Sequence, residues 1–235
     1  MKGRVGLIAR AAKVGTVVGL AGLLIAPVAA AASQGSKAPE ASVKLVGVFK
    51  ITGGECSTGG VTSGSYFRMI EPGGGYLANA SSSCGDTTYT PLLPGKSGGL
   101  STKRFQPNPS PEFDSSGNGL ANKITAPQSF EGVNFAVSTN ATDPQTGLTT
   151  KVPTITDKGG TLKGKISAFS VGWNNQNFNQ GSPKPDGTNP GNTSGPTGTY
   201  NATTKAFVLQ WESEIVGGPF NGFTGEWYLV GTFSG

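Results

Sequence analysis

Histidine is absent from all 235 residues, cysteine and methionine occur twice each, and only 13% of the chain is charged. Each scarcity excludes a class of chemistry. Without histidine there is no Ser-His-Asp triad, and most catalytic zinc, copper and haem ligation is removed as well. Two cysteines cannot close a thiolate zinc site by themselves. In an oxidising compartment the expectation for Cys56 and Cys84 is one intramolecular disulfide. Helical periodicity is also missing, because after Ser33 no 12-residue stretch repeats apolar residues at helical spacing without a Gly or Pro interrupting it.

The N-terminus carries Lys2, Arg4, Arg10 and Lys13, then an apolar run from Val14 to about Ala30, then small residues. That order is expected of a signal peptide over residues 1–32, cleaved near Ala32, with 33–42 as a flexible linker and 43–235 as a single domain. An uncleaved transmembrane anchor is the rival reading, and Pro27 late in the run argues against it. Four of the 18 basic residues lie in this segment, which leaves 14 against 13 acidic residues. Four units of the formal net charge of +5 therefore belong to the expected export signal, and the rest of the chain is near +1. The remaining chain has no basic footprint for nucleic acid, and no integral membrane segment is expected once the signal is removed.

Alternation of apolar and polar residues is frequent. Val43, Leu45, Phe49 and Ile51 share one row of "VKLVGVFKIT"; Val133, Phe135 and Val137 share another; Phe223, Trp227, Leu229 and Phe233 line one side of the last segment. Turn sequences such as "DPQTG", "DKGG" and "NATTK" lie between such runs. The fold class expected is all-β, an antiparallel β-sandwich with a β-barrel as the alternative. With 38 glycines and 16 prolines, two long Gly/Pro-rich excursions interrupt the pattern, at 91–119 and 174–198. The first is expected to be tied down by Leu92, Leu93, Phe105 and Phe113. Loops of this length are either functional or mobile.

Two fragments resemble trypsin-like serine proteases, "IVGG" at Ile215–Gly218 and "GKSGG" at Gly95–Gly99. Their order is reversed relative to that family, Lys96 stands at the aspartate position, and no histidine can serve as base, so both read as decoys. Lys96 and Ser97 are adjacent and diverge in an extended chain, which disfavours a Ser-Lys dyad. Asp114, Ser116, Asn118, Gly119 and Asn122 occupy positions 1, 3, 5, 6 and 9 of an EF-hand-like loop, but Thr125 stands at position 12 where a bidentate Glu is required. This is a weak calcium candidate, and the alternative is an Asx turn.

Glu212 and Glu214 flank one residue of a strand, so they share a face with Cα atoms about 7 Å apart. The spacing approaches that of glycosidase carboxylates, but neighbours on one strand project in parallel. A solvated face opposite Lys163 and Lys165 is the competing reading. The sequons at Asn79, Asn140, Asn192 and Asn201 are matches that a chain rich in Asn, Ser and Thr produces by chance.

The most suggestive stretch is "GWNNQNFNQG", where Trp173 and Phe178 are interleaved with Asn174, Asn175, Gln176, Asn177, Asn179 and Gln180. Aromatic faces and planar amides suit sugar rings. The competing reading is that the two rings anchor a loop. The expectation is a secreted, non-enzymatic binding or cell-envelope protein that contacts polysaccharide through this loop and needs no cofactor. A carrier with an apolar barrel cavity and a polysaccharide hydrolase are the alternatives.

Overall fold

The alternation forms sheets, and the computed structural model describes residues 40–58 and 60–235, among which there is no helix. The expected signal peptide and most of the 33–42 linker lie outside the described residues. In chain order the strands are β1 Val43–Leu45, β2 Val48–Ile51, β3 Glu55–Ser57, β4 Gly60–Ser63, β5 Tyr66–Ile70, β6 Thr90–Pro91, β7 Gly99–Ser101 and β8 Gln128–Phe130. They continue as β9 Val133–Thr139, β10 Thr154–Lys158, β11 Thr161–Lys165, β12 Phe169–Trp173, β13 Gln176–Asn179, β14 Ser194–Tyr200, β15 Ala206–Glu214 and β16 Thr224–Ser234. The stretch Pro39–Gly235 forms one compact unit.

Ten strands make one antiparallel sheet in the order β1-β10-β11-β14-β15-β16-β2-β7, with β5 and β6 continuing from β16 beside β2. Four more form the order β13-β12-β9-β8. The sheets curl into a half-barrel and a sandwich-like arrangement, so features of both expected architectures are present.

The half-barrel arises because β1 and β2, parts of one segment bent at Val46-Gly47, pair at distant places: β1 on β10 and β2 on β16. A Cβ at Gly47 would lie 2.3 Å from the Ser234 carbonyl oxygen, so only glycine permits this approach. Thr102 satisfies the bend, accepting from the Gly47 N–H at 2.9 Å and donating to the Leu45 carbonyl at 2.8 Å.

On β15 and β16, Phe207, Leu209, Trp211, Trp227 and Leu229 all point inward and are buried. The four-stranded sheet closes over them, with Phe169 edge-on to Trp211 at 5.1 Å and to Trp227 at 5.0 Å. Truncating a fully buried Phe or Trp to Ala costs about 3–5 kcal/mol, so this aromatic layer holds the two sheets together.

The expected disulfide is present, joining Cys56 to Cys84 across 28 positions. It ties the β3-β4 hairpin, an excursion between β2 and β5, to the loop before β6. Both long excursions are shorter than expected. In 91–119 the fully buried anchors are Leu92 and Leu100, whereas Leu93 is exposed. Gln106 is buried there and pairs like a strand, its side chain accepting from the Ser101 N–H and donating to the Gly99 carbonyl, both at 2.8 Å. The 174–198 excursion opens on a hairpin turn and ends in β14. Pro196 falls at the irregularity in β14 pairing, where a missing N–H costs no ladder bond.

Candidate binding face

The eight residues from Trp173 to Gln180 do not make an exposed strip. Asn174 and Asn175 have φ of 49° and 57°, the two left-handed positions of a tight hairpin turn between β12 and β13. Phe178, Asn179 and Gln180 are buried, and Asn177 and Trp173 partly so, leaving Asn174, Asn175 and Gln176 exposed. The Trp173 indole N–H donates to the Phe130 carbonyl at 2.9 Å while its ring packs on Phe220. Gln180 serves both core tryptophans: its carbonyl accepts from the Trp211 indole and its side-chain oxygen from the Trp227 indole. The two rings pack on the core, and the residues left exposed are those of the turn and Gln176 beside it.

The calcium candidate folds on itself. Asp114 accepts from the N–H groups of Ser116 and Asn118 and from the Asn118 side chain, each at 2.9 Å. Those bonds hold its carboxyl below the usual carboxylate range. Among the described residues no three His, Cys, Asp or Glu side chains group to hold a metal ion. Of the sequons, Asn79 is fully buried, donating to Thr90 and the Ser129 carbonyl, and Asn192 is exposed.

Lys184 is a buried cation that the sequence did not single out. Its ammonium donates to the Asn179 carbonyl, the Ser213 hydroxyl and the Glu214 carbonyl, each at 2.7 Å. Burial pulls its pKa down to about 8, which keeps it charged at neutral pH. Ser213 donates onward to the Gly181 carbonyl and is wholly inaccessible, so the pair is structural rather than a nucleophile and its base.

Glu212 and Glu214 do share the outer face, but β14 separates them from β11, so Lys163 and Lys165 are not their neighbours. The strand hidden in the polar excursion inserted itself between them. Glu214 turns toward the loop at Gly191, where a Cβ would meet its carboxylate. Glu212 instead has Ser194 on one side and Glu226 on the other, and Glu226 is followed by Arg68 on β5. Register thus lays a row of Ser194, Glu212, Glu226 and Arg68 across four strands. The next row is Thr197, Gln210, Tyr228 and Tyr66.

Tyrosines complete this face. Tyr66 stacks on Tyr228 at 4.8 Å with planes 16° apart, and Tyr89 stands edge-on to Tyr66 at 5.0 Å. Arg68 is held between rings, its Cζ 3.2 Å from the Tyr76 centroid and 4.2 Å from that of Tyr89. Its N–H groups go to Thr88 and Tyr89 rather than to a carboxylate. Tyr76 donates to Glu226 at 2.9 Å. Burial raises the Tyr66 phenol, and the Glu226 charge raises it further. Glu212 is raised by burial first and by Glu226 second. A groove of about 240 Å³ lies between Ser194, Thr197, Gln210, Glu212, Glu226 and Tyr228.

By contrast, the apolar crevice between the sheets, lined by Phe67, Phe130, Phe135 and Trp227 among others, has a volume of about 30 Å³. It is much smaller than the groove on the outer face. Among the described residues no helix is long and apolar enough to cross a membrane.

Scans of protein-family models, curated proteins and solved structures return no match to this chain.

Proposed function

We propose that the chain is a secreted, non-enzymatic protein that binds polysaccharide of the cell envelope through the outer face of β14, β15, β16 and β5. One observation carries the reading: two stacked, partly exposed tyrosines border a groove lined by Gln210, Glu212, Glu226, Ser194 and Thr197. Tyrosine offers a flat apolar face to a sugar ring, and the carboxylates and amide accept or donate to its hydroxyls. The positively charged leader and the disulfide support export. Hydrolysis is the weaker reading. Glu212 and Glu226 are cross-strand neighbours on one face and project side by side, whereas glycosidase carboxylates flank the scissile bond.

Pull-down on insoluble polysaccharides tests the site. Tyr228→Ala is expected to lose retention while its stability falls by only about 1 kcal/mol, the worth of the lost stack on Tyr66. Trp173→Ala is expected to lower stability by roughly 2 kcal/mol, less than for a fully buried ring, while its folded fraction is retained normally. Retention lost with Trp173→Ala and kept with Tyr228→Ala would return the site to the β12-β13 hairpin.

A further inference from the structure

We infer that the face selects polysaccharides bearing free amino groups, with Glu212 and Glu226 receiving the ammonium; this rests on the polysaccharide-binding reading above. The two carboxylates are direct cross-strand partners, which puts their Cα atoms about 4.5–5.5 Å apart. Like charges at that distance destabilise a sheet unless something neutralises them. Neither β14 nor β15 places a cation beside Glu212, and Lys163 on β11 lies beyond Thr197 in the adjoining row. From β14, Glu212 meets Ser194, whose hydroxyl accepts from the Glu212 backbone N–H at 3.1 Å. Along its own strand, Glu214 is turned away to the loop at Gly191. On the far side Arg68 is in register with Glu226 and offsets part of its charge, but its guanidinium lies on two tyrosine rings and donates to Thr88 and Tyr89 rather than to a carboxylate, which leaves Glu212 without a counter-charge. Tyr76 gives Glu226 one neutral hydrogen bond and no charge.

The groove therefore presents paired anionic oxygens beside a stacked tyrosine platform. A protonated amino sugar supplies both complements, an ammonium for the carboxylates and a ring face for Tyr228, which Tyr66 backs from behind. Neutral sugars supply only the second, and uronic acids are repelled.

Calorimetric titration with a β-1,4-linked glucosamine hexamer and its fully N-acetylated counterpart reads the preference. At a pH where the amines are protonated, the wild type is expected to bind the amine form about tenfold tighter, as one charge-assisted contact provides, and added salt is expected to shrink the gap. A Glu212→Gln, Glu226→Gln double variant is expected to erase the preference, and a cooperative thermal melt shows that it is folded. Equal or tighter binding of the acetylated hexamer by the wild type, or a preference that survives the double substitution, overturns the amine selection and leaves the polysaccharide reading standing. Binding of neither hexamer nor of any insoluble polysaccharide overturns both.

Discussion

Lys184 shows what a single residue decides. An ammonium has three donors, and here all three meet acceptors, joining the segment after β13 to the end of β15. Lys184→Met removes the donors and leaves buried oxygens unpartnered, so a loss of about 3 kcal/mol is expected in urea denaturation. Unchanged stability would mean that water replaces the ammonium. The same local logic explains the IVGG fragment. Ile215 is buried, Val216 is exposed, and Gly217 and Gly218 take φ of 80° and 67° in the turn into β16. A Cβ on Gly218 would meet the Phe178 ring at 2.7 Å, so the second glycine is fixed by packing as well as by backbone angle. These residues turn the chain; they make no cleavage product.

At the scale of elements, the governing fact is which strands touch. Glu212 titrates under the influence of burial and of Glu226 on the neighbouring strand, both raising its pKa. The folded state then holds a proton that the unfolded chain releases at a lower pH. Glu212's contribution is most favourable in acid and is lost as pH rises from the ordinary carboxylate range through the raised value. Glu212→Gln is expected to melt higher than the wild type at neutral pH, with the difference narrowing in acid; thermal melts across that range check it. A gap that widened on acidification would mean that Glu212 is stabilised as an anion. The face containing Glu212 was legible in the sequence, because strand alternation fixes it. Its neighbours were not, since β14 lies in a stretch whose Gly, Pro and Thr residues carry no apolar alternation. The hairpin at Asn174-Asn175 was readable in principle: two asparagines between two alternating runs are a tight-turn signature.

Across the whole molecule, the β3-β4 excursion and the loop before β6 are held by one covalent link. Closing a loop of 28 positions stabilises the folded state by about 3–4 kcal/mol on the chain-entropy account. A Cys56→Ser, Cys84→Ser double variant is expected to unfold at correspondingly lower denaturant, and an unchanged midpoint would show that the loop is constrained without the bond. The all-β class, the disulfide pair and the exclusion of histidine chemistry are readable from the amino-acid order alone, because alternation, cysteine number and composition are local properties. Alternation also set Trp227 on the apolar side of its strand and Glu212 on one face with Glu214. That Tyr76 reaches Glu226 from 150 positions away, and that Tyr66 stacks on Tyr228, emerges with the three-dimensional fold. Alternation assigns a side chain to a face but says nothing of its lateral neighbours. Those follow from strand order and register, which are set by long-range closure of the sheet around its aromatic core.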